Sequence, residues 1–186
     1  MSLEKFKLNG RRALVTGSSQ GIGFAIAKGL AEAGAEVILN GRDKDKLATA
    51  AKSLAAFKLN IVQAPFDVTD GKAVAAAIPQ IERDHGPIDI VVNYAGMQRR
   101  AHLDQSTDED WSLVLKTNLD SVFYVSKAAA QGMIARKRGS IINICSVMSE
   151  LARPSVVPYT ASKGGVKMLT KGMATDWAKH GLQCNA

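Results

Sequence analysis

At 186 residues, 46% hydrophobic and 22% charged, the chain has the size and composition of one soluble α/β domain, which excludes disordered and collagen-like classes. No apolar run reaches the roughly 18 residues of a membrane-spanning helix, and the first ten residues, MSLEKFKLNG, lack the apolar core of a secretory signal, so the cytoplasm is the expected compartment. Lys and Arg number 24 against 17 Asp and Glu, a net charge of +7, but they are spread along the chain with no nucleic-acid-binding motif, so neither nucleic acid nor membrane is an expected partner.

Short runs rich in Val, Ile and Leu alternate with longer stretches of helical period. The predicted strands are 13–16, 36–40, 60–66, 88–93, 140–145 and one beginning at 182–186, with helices at 22–33, 44–54, 72–83, 109–136 and 158–179 between them. The fourth strand, Ile88-Asp89-Ile90-Val91-Val92, is nearly continuous in apolar residues, as when helices cover both faces of a parallel sheet. Asp43 reads as the start of the second helix, and Thr107 with Asp110 as the cap of the fourth. Pro79 predicts a kink or an early end in the third helix. The densest basic cluster, Arg136-Lys137-Arg138, reads as a solvated helix terminus whose cations suit the negative end of the dipole. Cys145 and Cys184 form no CxxC pair and read as core thiols in a reducing compartment; His85, His102 and His180 lack metal-ligand spacing, so no metal is expected. There is no repeat and no linker, and residues 1–186 form one domain of α/β class: a doubly wound parallel sheet in three layers.

After the first strand comes Thr16-Gly17-Ser18-Ser19-Gln20-Gly21-Ile22-Gly23 and then an amphipathic helix. Glycines at this spacing let the chain turn sharply and let backbone N–H groups approach a pyrophosphate at the helix N-terminus, and Gly23 permits close helix–strand packing. Taken alone, the loop is also compatible with a plain helix start; its place in a βαβ series favours nucleotide binding. The second strand ends in Leu39-Asn40-Gly41-Arg42, with no carboxylate before Asp43 for a ribose hydroxyl, and Arg42 is suited to a 2′-phosphate. NADP is therefore expected over NAD, with NAD as the alternative.

Tyr159 and Lys163, in Pro158-Tyr159-Thr160-Ala161-Ser162-Lys163, lie one helical turn apart on one face. A free phenol titrates near about 10, too high for efficient proton exchange at neutral pH, and a neighbouring ammonium favours the phenolate. Ser146 is placed at the end of the fifth strand, on the carboxyl edge where open α/β sheets bind ligands, and its hydroxyl suits a carbonyl oxygen undergoing hydride transfer. Asn118 is a poor helix former inside an otherwise good helix. Each has an ordinary structural explanation when taken singly; their register with the glycine loop is what points to catalysis.

With these residues in view, the chain resembles the short-chain dehydrogenase/reductase family over essentially its whole length. The likeness rests on the glycine loop, on Asp67-Val68 after the third strand, on Asn93-Tyr94-Ala95-Gly96 after the fourth, and on Asn118, Ser146, Tyr159 and Lys163. The resemblance implies strand order 3-2-1-4-5-6. It makes Tyr159 the proton donor or acceptor, gives Ser146 the substrate oxygen, and has Lys163 hold the nicotinamide ribose and lower the tyrosine pKa. Asn118 would keep a water in the proton relay. Gly17, Ser19, Gln20, Gly21, Ile22, Gly23, Arg42, Asp67, Val68, Asn93, Ala95, Gly96, Tyr159 and Lys163 would line the cofactor. One position departs from the pattern, because the family's NNAG reads NYAG here and Tyr94 would crowd the loop.

Within the family the likeness is strongest to members acting on sugar acids, carried by residues 39–43, 96–100 and 141–181. It implies hydride transfer at C5 of gluconate or 5-ketogluconate. Arg99, Arg100 and Arg153 lie on loops beyond strand ends, where a guanidinium can meet a carboxylate in bidentate fashion, although at most one of the adjacent Arg99 and Arg100 is expected to face the pocket. Glu150 is a candidate acceptor for a sugar hydroxyl, and Ser146 and Tyr159 complete the substrate set. Reduction of another carbonyl, such as a 3-oxoacyl thioester, and a catalytically silent nucleotide-binding module are the alternatives. Members of this family run longer, so the chain is expected to lack a final strand and the segment covering the substrate. The two long helices resemble those through which the family forms tetramers or dimers.

Overall fold

The computed structural model describes residues 3–57 and 59–186. Six parallel strands form one sheet in the order β3-β2-β1-β4-β5-β6, as the resemblance implies. They are β1 (Arg12–Val15), β2 (Glu36–Gly41), β3 (Ile61–Pro65), β4 (Ile90–Asn93), β5 (Gly139–Asn143) and β6 (Leu182–Asn185). The helices are α1 (Gly21–Glu32), α2 (Lys44–Ala55), α3 (Gly71–His85), α4 (Asp108–Leu115), α5 (Ser121–Ala135) and α6 (Val157–Trp177).

Successive strand side chains point to opposite faces, and both faces are apolar. Leu14, Ile38, Val91 and Ile141 face one side, where they pack with Val74 and Ile78 of α3, Val125 and Met133 of α5, and Val166 and Met173 of α6. Ala13, Val15, Val37, Leu39 and Val92 face the other side, against Ala27 and Ala31 of α1 and Leu47 and Leu54 of α2. The result is three layers. Each fully buried Leu or Ile in this set contributes about 1.5–3 kcal/mol relative to exposure. In β6 the alternation continues with Leu182 and Cys184 buried beneath α6 and Gln183 and Asn185 exposed.

The polar starts of the helices are as expected. Asp43 caps α2 by accepting from the N–H groups of Asp45 (3.1 Å) and Lys46 (3.0 Å). Thr107 caps α4 through the N–H of Asp110 at 3.1 Å. Three expectations are corrected. First, α3 runs unbroken through Pro79. The proline cannot donate to the carbonyl of Ala75, a residue on the exposed side of the helix, where water can take the place of the missing donor. Second, the single helix expected over 109–136 is interrupted by a π turn at Lys116–Asp120 between α4 and α5. Third, the cluster at 136–138 is not simply solvated: Arg136 donates to the Glu82 carboxylate and the Ile88 carbonyl, both at 3.0 Å, and Arg138 to Asp89 at 2.7 Å. These guanidiniums are ties to the end of α3 and to the segment leading into β4. Cys145 and Cys184 are both free thiols, and burial pushes the Cys184 thiol pKa up. No described helix is long and apolar enough to cross a membrane.

Candidate active site

The loop after β1 is welded to the loop after β4. The Thr16 hydroxyl accepts from the N–H groups of Tyr94 (3.0 Å) and Ala95 (3.1 Å). Ser18 donates to the Val15 carbonyl at 2.7 Å and accepts from the N–H of Asn40 at 3.0 Å, tying in the end of β2. Gly17 has φ +64°, and a Cβ there would stand 2.9 Å from the Ala95 Cα, so the two loops touch backbone to backbone. A Cβ on Gly23 would run into the Gly17 carbonyl oxygen and lie 2.7 Å from Tyr94 Cδ1. The aromatic that replaces the family's second asparagine therefore packs on the glycine loop and closes it from below.

Unlike α2, α3 and α4, helix α1 starts without a side-chain cap, since Gln20 at its N-cap makes no such bond. Its first-turn N–H groups are left for an anion, and the space beside Gly21 is open for at least 4 Å around a would-be Cβ. Ile22 projects outward beside it, 64% exposed. This bare, positively polarised helix end fits a pyrophosphate.

At the end of β2, Arg42 is exposed and its guanidinium lies 3.6 Å from the Asp67 carboxylate, while the Ser19 hydroxyl lies beside Gly41. Burial works against ionising Asp67, but the backbone and hydroxyl bonds from Thr69, both 2.8 Å, together with Arg42 outweigh it and hold its pKa below the usual carboxylate value. Two of the residues expected to line the cofactor have side chains engaged within the fold. The Val68 side chain lies in the core, which leaves only its backbone for an adenine. Asn93 is likewise turned inward, donating to Ser126 Oγ (2.9 Å) and Asn143 Oδ1 (2.8 Å), so that its amide braces the sheet beneath the loop. Ala95 packs against Gly17 while Gly96 is exposed, and a Cβ on Gly96 would approach Asn118 Oδ1 to 3.2 Å.

Tyr159 sits in the first turn of α6 and Lys163 one turn on, its Nζ 5.8 Å from the centre of the tyrosine ring. Lys163 is 6% exposed, and its ammonium donates to the Ile144 carbonyl at 2.6 Å. Burial lowers its pKa below the usual lysine value, with Cys145 acting weakly the other way. The folded chain thus releases this proton more readily than the unfolded chain. Carrying the buried charge costs stability below the folded-state pKa, and that cost fades as pH rises toward the unfolded lysine value of about 10.4. Denaturant midpoints from neutral to alkaline pH are expected to show the native protein gaining stability relative to Lys163→Met. A constant difference across that range would contradict the burial.

Asn118 is fully buried in the π turn. Its amide grips Met97 at both ends, accepting from the N–H at 2.7 Å and donating to the carbonyl at 2.8 Å, and it also donates to Ser162 Oγ at 3.0 Å. Ser162 in turn donates to the Tyr159 carbonyl at 2.7 Å. One side chain therefore links the loop after β4 to the backbone of Tyr159. Ser146 lies three residues beyond β5, not at its end as expected, because the strand stops at Asn143 and Ser146 caps the short 3-10 turn Val147–Ser149.

The substrate candidates divide. Arg99 is engaged by Asp110, Nε to Oδ1 at 3.4 Å, and Glu150 is held by Lys167, whose ammonium keeps the carboxyl pKa low. Arg100 and Arg153 are exposed and make no ion pair among the described residues. Sequence reasoning passed over Thr16, Ser18, Asn40, Asn143, Ser149 and Ser162, all hydrogen-bonded beneath or beside the site. For Asn40 and Asn143 the signal was present: an amide at the end of an otherwise apolar strand.

Comparison with known proteins agrees with this geometry. The short chain dehydrogenase family model matches residues 11–186. The gluconate 5-dehydrogenase of Gluconobacter oxydans (strain 621H) is 57% identical over 180 residues, 97% of this chain and 70% of that protein. The 5-keto-D-gluconate 5-reductase of Escherichia coli (strain K12) is 45% identical over 180 residues, 97% of this chain and 71% of its own length. A crystal structure of a gluconate 5-dehydrogenase from Burkholderia cenocepacia J2315, in complex with NADP and tartrate, superposes with a TM-score of 0.96 at 52% identity, covering all of this chain and 72% of that one. From the uncapped glycine loop to the Tyr159–Lys163 turn, the sequence, the sheet order and the relatives agree, and the chain belongs to the short-chain dehydrogenase family.

Proposed function

We propose that the protein is an NADP-dependent oxidoreductase that interconverts D-gluconate and 5-keto-D-gluconate, with residues 1–186 acting as one dinucleotide-binding and catalytic unit. The observation that carries this reading is the gathering of the uncapped start of α1, the Ser146 turn and the Tyr159–Lys163 pair at the carboxyl edge of one parallel sheet. Its closest support on substrate is the likeness to the gluconate enzymes of Gluconobacter and Burkholderia, the latter solved with NADP.

The N–H groups of the first turn of α1 would hold the pyrophosphate, and Arg42 with Ser19 would supply the cation and hydroxyl for the 2′-phosphate. The nicotinamide, when bound, supplies or accepts the hydride at C5. In the reductive direction Tyr159 gives its phenolic proton to the carbonyl oxygen. Ser146 Oγ accepts from the N–H of Met148 at 3.1 Å, so its own hydrogen is free to be donated to that oxygen. The buried Lys163 cation beside the ring favours the phenolate left behind. The π turn around Asn118 interrupts the regular helical ladder beside Tyr159, at the place where the resemblance puts a water for reprotonation. Arg100 and Arg153, which make no ion pair among the described residues, are the cations available to the substrate carboxylate, whereas Arg99 faces Asp110.

Assembly as a homo-tetramer or dimer belongs to the same reading. Trp111 of α4, Phe123 of α5 and Met168 of α6 are large exposed apolar side chains, whereas Val122 and Val125 are already buried in the core. The two unpaired thiols suit the cytoplasm.

The test is a spectrophotometric assay of the purified protein. NADPH is expected to be consumed with 5-ketogluconate, more slowly with NADH in its place, and not with a 3-oxoacyl thioester. Consumption with the thioester alone would transfer the assignment to the other carbonyl class. No binding of NADPH by fluorescence would remove the cofactor reading altogether.

A further inference from the structure

We propose that Ser149 is a positioning residue that holds Ser146 and Lys163 in fixed relation; the inference rests on the reading of those two residues as catalytic. Its single hydroxyl is used in both directions. Oγ donates to the main-chain carbonyl of Lys163 at 2.9 Å and accepts from the main-chain N–H of Ser146 at 3.3 Å. Lys163 is thereby bound at both ends to one short segment. Its ammonium is bonded to the Ile144 carbonyl at 2.6 Å and its carbonyl to the Ser149 hydroxyl, and Ser146 lies between these two anchor points in the chain.

The chemistry requires a hydroxyl at position 149. Residues 146–149 read Ser-Val-Met-Ser and form a capping box: the Ser146 hydroxyl takes the N–H of Met148 while Ser149 reaches back to the N–H of Ser146. Such boxes ordinarily carry Glu or Gln at the third position. A carboxylate accepts the N–H of the cap but has no hydrogen to give to a carbonyl, and a Gln side chain is longer. A hydroxyl closes the box and, in the same bond pattern, donates to the helix turn carrying Lys163. The consequence falls on Ser146 as well. With its backbone N–H held by Ser149 and its lone pair by Met148, the rotation of its hydroxyl is restricted, and the free hydrogen is presented in one direction instead of several.

Removing the hydroxyl leaves every other contact of Ser146 and Lys163 intact, the Lys163–Ile144 bond included, but frees the Ser146 N–H and loosens the turn against the helix. For Ser149→Ala, kcat with 5-ketogluconate is expected to fall about tenfold, as a small misplacement of reacting groups does. The KM for NADPH and the thermal midpoint should stay close to those of the parent, because position 149 is only partly buried in a surface turn. Ser149→Thr keeps the hydroxyl and is expected to recover most of kcat, a rescue that a purely structural role, equally open to Ala, would not produce. Ser146→Ala is measured alongside. If Ser146→Ala is fully active, the catalytic reading of Ser146 fails. If Ser146→Ala is inactive while Ser149→Ala turns over at the parent rate, or Thr does no better than Ala, the positioning role of Ser149 is overturned. Should the Ala variant not fold, a Thr variant that folds yet loses kcat as severely as Ser146→Ala would equally overturn it.

Discussion

Tyr159→Phe is expected to lower the rate of NADPH oxidation with 5-ketogluconate by about 10²- to 10⁴-fold, the range contributed by a positioned general acid. Stability and cofactor binding should be preserved, for reasons visible in the structure. The phenol hydroxyl bonds to none of the described residues, so its loss leaves no buried partner unsatisfied. The backbone of Tyr159 is held independently through the chain Met97–Asn118–Ser162–Tyr159. The ring of phenylalanine can still pack beside Lys163. The expected result is a protein that melts within about 0.5 kcal/mol of the parent, the usual range for a substitution that breaks no buried contact, quenches with NADPH normally and fails to turn over. Turnover near the parent rate would remove Tyr159 from the chemistry.

The second large effect is a pair of identical substitutions in one helix with opposite signs. Gly23 and Gly29 both lie in α1. At Gly23 a methyl group meets the Gly17 carbonyl oxygen and stands 2.7 Å from the Tyr94 ring, and neither neighbour can yield without opening the contact between the two loops. Gly23→Ala is expected to cost about 1–3 kcal/mol by overpacking. For a protein of this size that is a fall of roughly 2–12 °C in Tm. Because the displaced atoms belong to the glycine loop, the affinity for NADPH should fall by more than about tenfold. At Gly29 there is nothing within 4 Å of the new methyl group, and the position is exposed. There alanine restricts the unfolded chain and favours the helix, a gain of about 0.4–1 kcal/mol with no change in affinity. Differential scanning calorimetry and fluorescence titration of both variants decide the matter. Equal shifts at the two sites would mean that the loop does not rest on Tyr94 and the start of α1.

Much of the fold is local physics, and local physics is written in the order of residues. Strands such as 36–40 and 88–93 are apolar on both faces because helices cover both, and no other common arrangement produces that pattern. Asp43, Asp70 and Thr107 act within one turn of themselves, so their capping follows from their position in the chain. Tyr159 and Lys163 are four apart on a helix and must share a face. Where the expectation failed, the tertiary surroundings made the difference. Pro79 is tolerated because Ala75, whose carbonyl it leaves without a donor, lies on the exposed side of the helix, and Arg136 is tied down because α5 ends beside Glu82 and Ile88.

The sequence by itself determined the strand and helix sequence, the glycine loop and the tyrosine–lysine turn, since periodicity, capping and i, i+4 spacing operate within a few residues. Only the tertiary structure decided which polar groups serve the site and which serve the scaffold. Asn93 braces the sheet through Asn143; Asn118 is a clamp onto Met97 and Ser162; Arg99 pairs with Asp110 and Glu150 with Lys167; Ser149 joins Ser146 to Lys163. These assignments join residues about 11 to 50 positions apart, apart from the Ser146–Ser149 bond. A hydrogen bond or ion pair requires its two groups within about 3–4 Å. Only the packing of helices on the sheet brings such distant positions together, so that no pattern in the chain itself names the partner.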